Sequence, residues 1–271
     1  MVHTIAALLT VALTGTGTGT AAPRCVESTP PSDYMYTFST TGDSDDDPTS
    51  GTVRVHGDRT RIDIDKKNSN EYILLTNGGK QMMSVHPDRR EVDQMSSPNF
   101  EHIIGTSLRA VSPIVKFKVV NNRISSERIG TGQKVLGYAT EQIRITERFD
   151  VRIVALGFDG GTEHHTVITD YWVSPGLDLG SNPLLALLEH TATAMAQTDA
   201  DFVQNEASVR ARSLQGTPLR TVVKESTVDD KGISHSKTRS IDITSVRVGA
   251  QQASLFEIPS GYRIRTSSFS T

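Results

Sequence analysis

The sequence predicts an α+β fold, mainly β, built on antiparallel sheet. Three observations predict it. Between Gly51 and Met95, short apolar alternations are cut by turn residues at close intervals. A second β block from Arg123 to Ser174 and a third from Pro218 repeat that texture. The segments with helical spacing fall between these blocks rather than alternating with single strands, which separates α+β from α/β.

The elements follow in order. Tyr34, Tyr36 and Phe38 give a first strand over residues 34–40, and Asp43, Asp45, Asp46 and Asp47 make an acidic loop behind it. Val53 and Val55 alternate with Arg54 and His56, the period-two mark of a half-buried strand. Gly57-Asp58 is a turn. Ile62 and Ile64 alternate with Arg61, Asp63 and Asp65 in the next strand. Tyr72 to Leu75 is apolar throughout, which predicts a strand covered on both faces. Asn77-Gly78-Gly79 carries the positive-φ residues of a tight hairpin. Met82, Met83 and Val85 form the returning strand, and Pro87-Asp88-Arg89 turns the chain into another, residues 90–95.

Residues 98–111 read as a short helix ended by Pro113, and residues 114–120 as strand. Ile143 and Ile145 alternate with Gln142, Arg144 and Thr146, and Asp159-Gly160-Gly161 is read as the next turn. Asn182 as N-cap and Pro183 at the first helical position open the strongest helix, with Leu184, Leu185, Leu187, Leu188, Ala192 and Met195 on one face. A second helical piece from Asp199 carries Phe202, Val203 and Val209 and ends before Gly216. Strands over residues 219–228 and 236–246, and a short one at Leu255-Phe256, complete the chain.

The 271 residues divide into a signal peptide over 1–22, a flexible N-terminal segment over 23–50 holding the first strand and the acidic loop, and a single sheet domain over 51–271 that includes that strand. The apolar run from Ile5 to Leu13, followed by Ala21-Ala22, is the pattern of an export signal, so the mature chain is expected to be periplasmic or secreted. No later apolar stretch reaches the length of a membrane span. A single cysteine, Cys25, excludes an internal disulfide. Pro23-Arg24 before it does not fit a lipid-anchor site. The net charge of -3 and the lack of a basic motif argue against nucleic acid as partner.

No local pattern assembles catalysis. Asp43, Asp45 and Asp47 start like a calcium loop, but Pro48 and Arg54 stand where that loop needs Gly and an acid. Neighbouring His164 and His165 point to opposite faces of a strand and cannot converge on a metal. Ser234 to Lys237 contains Ser-x-x-Lys without its companion motifs, and Gly130 to Lys134 is neither a phosphate loop nor a dinucleotide fingerprint. No catalytic residue, metal ligand or cofactor is assigned, and the chain is read as non-enzymatic.

Tyr72 to Leu75, Asn77 to Lys80, Val85 to Asp88, Val135 to Tyr138, Tyr171 to Ser174, Gly216 to Arg220 and Leu255 to Tyr262 together resemble a family of exported bacterial proteins of unknown function, related to the LolA-like lipoprotein-carrier superfamily. The resemblance implies a strongly curled antiparallel sheet, an incomplete barrel, with helices on its concave side and an acyl-chain cavity between them. The apolar residues assigned to such a cavity are Ile73, Leu75, Met83, Trp172, Leu185, Leu188, Met195 and Phe202. The leading functional reading is binding of an acyl chain, lipid or lipoprotein. The alternatives are a cell-envelope protein-interaction module and, third, a hydrolase with an unrecognised site.

Overall fold

A computed structural model describes residues 30–42, 49–65, 70–96, 115–155, 158–179 and 200–266. The strands are β1 (Asp33–Gly42), β2 (Thr49–His56), β3 (Arg59–Asp65), β4 (Tyr72–Thr76), β5 (Gln81–His86), β6 (Glu91–Ser96), β7 (Val115–Thr131), β8 (Glu141–Ala155), β9 (Phe158–Ser174), β10 (Thr217–Val228), β11 (Ser234–Val248) and β12 (Arg263–Thr266). One helix among the described residues, α1 (Ala200–Ser213), precedes β10. All twelve strands share one sheet in the order β12-β6-β5-β4-β3-β2-β1-β11-β10-β9-β8-β7. Every pair is antiparallel except β12 with β6, so the sheet is mixed.

This corrects the expected architecture. The sheet is neither closed nor strongly curled: β12 and β7 are its two free edges, and its core is divided into three separate clusters along the strand order. Among the described residues one α-helix, α1, packs on the sheet, and no layer of helices fills a concave side. The expected helices over 98–111 and from Asn182 lie outside the described residues, as do Cys25 and the Asp43–Asp47 loop. Asp159 and Gly161 lie inside β9, opposite Val154 and Ile153, rather than in a turn. Leu255-Phe256 belongs to a 3-10 turn, Ala253–Phe256, and the last strand begins at Arg263.

Cross-strand register fixes which residues share a face. Tyr34, Val55, Thr60 and Leu75 stand in one row, and Tyr36, Val53, Ile62 and Ile73 in the next. This face, called A, holds the cluster of Tyr34, Phe38, Val53, Val55, Ile62, Leu75 and Leu219, joined by Leu177 and Leu179 beyond β9. It continues through Ile143, Ile145, Tyr171 and Val173, where Leu214 behind α1 closes a second cluster. Face B carries the intervening residues. It is polar over most strands but apolar at β4 to β6, where Tyr72, Leu74, Met83, Val85 and Val92 pack under Ile258 and Tyr262. Leu74 and Leu75 are consecutive and both fully buried, so β4 is covered on both sides as its unbroken apolar run predicts.

Polar groups are buried in face A as well. Arg210 of α1 forms a buried ion pair with Glu147 of β8, which holds the helix on the sheet. Tyr34 is 1% exposed, and its hydroxyl has no hydrogen-bond partner among the described residues. Burial, with Tyr36 and Asp178 nearby, pushes that hydroxyl well above the ordinary tyrosine range.

Glu147→Ala leaves the Arg210 guanidinium without this partner in the interior. It is expected to lower stability by about 3 kcal/mol and to release α1 first, read as loss of amide-exchange protection over residues 200–213. Tyr34→Phe removes an unsatisfied polar atom and is expected to stabilise by about 1 kcal/mol, measured by denaturant unfolding. Because the folded state holds the Tyr34 proton more tightly than the unfolded state, that proton's contribution is intact below about pH 10 and is lost as pH rises further. The Phe variant is expected to show a shallower alkaline loss of stability.

Candidate functional site

The β2–β3 and β4–β5 turns converge on one side of the sheet. The second is opened by three successive positive φ angles, at Asn77 (54°), Gly78 (62°) and Gly79 (87°), a run that two glycines accommodate without steric cost. Gly78 N–H donates to Asp58 O at 3.2 Å, tying the two turns together. Thr76 Oγ1 donates to Gln81 Oε1 at 3.0 Å and closes the hairpin neck.

The chain leaving β11 then crosses onto face B. Arg61 Nη1 donates to Leu255 O at 3.2 Å while its guanidinium lies 3.7 Å over the Tyr72 ring. The Phe256 ring lies 5.6 Å from the His56 ring. Tyr262 packs on the β4–β6 cluster, and Arg263 and Arg265 bind Glu91, fastening β12 to β6. The hydrogen bond from Arg263 holds the Glu91 carboxyl below its ordinary range.

Between the hairpin turns and this crossing segment lies an open cleft of about 440 Å³. Met83, Phe256 and Ile258 give it an apolar floor, with Met83 and Phe256 almost fully buried. Thr76, Asn77, Gln81 and Gln94 supply hydroxyl and amide groups, and Asp58, Arg59 and Glu257 supply charge. The described lining therefore offers an apolar floor, hydrogen-bonding groups and both signs of charge. Among the described residues no three histidine, cysteine, aspartate or glutamate side chains gather as a metal site. No described helix is long and apolar enough to cross a membrane.

Of the eight residues assigned to a cavity from sequence, Met83 lines the cleft. Ile73 and Leu75 point to face A and pack in its first cluster. Trp172 is on face B but on β9, seven positions from β5 in the strand order. Phe202 lies in α1, although its side chain is outside the described residues, as are Leu185, Leu188 and Met195 altogether. The cleft is walled by the C-terminal segment and not by a helix, since α1 covers face A near β7 to β9. Sequence reasoning missed Phe256, Ile258, Gln81 and Gln94. The Leu255 to Tyr262 motif was the signal for the first two.

The rest of face B is charged and partly open. Arg54 and Arg61, opposite one another on β2 and β3, both bind Asp63. Arg144 donates to both oxygens of Asp170, at 2.7 and 2.9 Å, which raises the Arg144 pKa. Trp172 lies beside them, with the Arg220 guanidinium 5.2 Å over its ring. Asp150 accepts from Asn121 Nδ2 at 2.6 Å and pairs with His164 Nδ1 at 2.7 Å; these bonds hold its carboxyl below the ordinary range. His165, one residue on, stacks against Phe149 on face A, as alternation requires.

No protein-family model matches this chain, and no curated protein matches it. Among solved structures it is similar to an uncharacterized conserved protein from Thermus thermophilus, with 9% sequence identity, 87% of this chain and 91% of that chain covered, and a TM-score of 0.37.

Proposed function

We propose that this chain is an exported, non-enzymatic protein that binds a ligand with an apolar portion, an acyl chain or lipid, in the cleft between the β4–β5 hairpin and the C-terminal segment. The observation that carries this reading is the cleft's division of labour. Met83, Phe256 and Ile258 form an apolar floor, and Thr76, Asn77, Gln81 and Gln94 ring it with groups that donate and accept hydrogen bonds. Its volume of about 440 Å³ falls in the range of small-molecule sites. Methionine in such a floor adapts to chains of differing shape. The motif resemblance to lipoprotein carriers supports an acyl-chain ligand, and the Ile5 to Leu13 run with Ala21-Ala22 supports export.

A second reading, a cell-envelope protein-interaction module, is favoured by Trp172. It stands half-buried on the polar face with Arg220 over its ring, a residue pairing typical of interface hot spots.

The test is native mass spectrometry of the chain recovered after export and purified without detergent, followed by solvent extraction. A bound mass that extracts as lipid is expected. Gln94→Trp, which fills the cleft from β6 without removing a buried apolar side chain, is expected to abolish it. A bare polypeptide mass that stays bare after incubation with fatty acids and phospholipids overturns the reading and favours the interaction module. A bound lipid that survives Gln94→Trp places the site elsewhere.

A further inference from the structure

Face B carries an unneutralised block of positive charge at β7 and β8. In register, Arg123 stands opposite Arg148, and Lys118 opposite Arg152. Like charges directly opposite across two strands repel and destabilise the pairing. At β2 and β3 the same situation, Arg54 opposite Arg61, is resolved by Asp63, which binds both. At β7 and β8 it is not resolved. Arg123, Arg148 and Arg152 are all exposed, and none has an ion-pair partner among the described residues. The carboxylate between the two pairs, Asp150, has its oxygens taken by Asn121 and His164.

Three exposed arginines, with Lys118 in register beside them, therefore stand around Asp150, with Asp230 at the margin, where its Oδ2 accepts from Thr162 N–H at 2.8 Å, in a chain whose net charge is -3. The neighbouring positions on β9 are Thr162, His164 and Thr166. On β10, Ser226 and Val228 stand opposite Thr166 and His164, and exposed Lys224 is one row further, opposite Ile168. Among the described residues nothing apolar covers this block, because α1 and its Arg210–Glu147 tether occupy the opposite face.

We propose that this β7–β8 surface docks the protein on a bilayer containing anionic phospholipid. Arg148 and Arg152 are four residues apart, about 13 Å along the strand, while their partners on β7 lie about 5 Å to one side. Donors spread over such a distance do not converge on one small anion. They match an array of phosphates on a flat surface. Single-stranded nucleic acid is the poorer fit, because its binding uses aromatic platforms and, among the described side chains, His164 is the one ring in this block. The membrane setting rests on the exported-carrier reading above, but the surface shares no residue with the cleft.

The experiment is co-sedimentation of the exported full chain with vesicles of phosphatidylglycerol in phosphatidylcholine, and with phosphatidylcholine alone. Binding to the anionic vesicles only, weakened strongly between 0.1 and 0.5 M salt as screening shortens to a few ångströms, is expected at about those concentrations. Each removed cation is expected to weaken it about five-fold, so Arg123→Gln/Arg148→Gln/Arg152→Gln loses about a hundred-fold. Lys80→Gln/Lys134→Gln/Lys237→Gln, which removes the same charge elsewhere, is expected to bind like the unmodified chain. If the triple arginine variant does not fold, Arg148→Gln alone is read for its five-fold loss. Equal loss in the lysine variant, no binding to anionic vesicles, or displacement by RNA at stoichiometric amounts overturns the proposal. Gln94→Trp separates the two readings: a variant that has lost cleft ligand but still sediments leaves the docking surface standing.

Discussion

The burial of β4 on both faces is the constraint on which the rest of the structure depends. Leu74 and Leu75 are adjacent and fully buried, so the sheet changes its apolar side at this strand. From β1 to β3 and from β8 to β11 the core lies on face A; at β4 to β6 a further core lies on face B. Each leucine contributes about 2 kcal/mol by leaving water, which neither would do if one face of β4 were bare. The second core therefore requires a cover, and the chain supplies one from its far end. Ile258 and Tyr262 cross onto face B, and β12 enters parallel to β6 because the chain has passed over the sheet rather than turned back in a hairpin. The cleft lies at the margin of that cover, where Met83 and Phe256 continue the apolar floor past the last packed contact.

An open twelve-stranded sheet has two edges, and both are defended. On β7 the register shifts between Val120 and Arg123 and again between Arg128 and Gly130, with positive φ at Asn121 and Gly130. Such bulges break the regular row of donors and acceptors that another strand would need. β12 is only four residues long and carries Arg263 and Arg265, both held by Glu91. Edge-to-edge addition is disfavoured at both ends. That moves attention from the edges to the polar face.

What the sequence could convey follows from the range of the interactions involved. Alternation is local, so the meander, the two-sided burial of β4 and the opposed directions of His164 and His165 were all legible. Curl is not local. It depends on whether the first and last strands approach each other, and no residue pattern in β7 or β12 encodes that they stay apart. Glycine misled at Asp159-Gly160-Gly161, where flexibility was read as a turn but serves a register shift between β8 and β9. The cavity assignment failed to choose a side for the same reason that β4 is stable. When a strand is apolar throughout, Ile73 and Leu75 are indistinguishable by pattern from residues of the other face, and only the placement of the C-terminal segment decides which methionine, Met82 or Met83, meets a cleft.

The cleft and the basic block are governed by different physics, although both lie on face B. In the cleft, apolar contact with nearly buried Met83 and Phe256 depends on area removed from water and is little affected by salt. At β7 and β8, exposed arginines act through fields that decay over about 8 Å at physiological ionic strength. Their mutual repulsion is a standing cost to the fold, which an opposing anionic surface would relieve. Asp63 relieves the same repulsion between Arg54 and Arg61 from within. The contrast between two equivalent arginine pairs, one neutralised by the chain and one left open, locates the place where an external anion has the most to contribute.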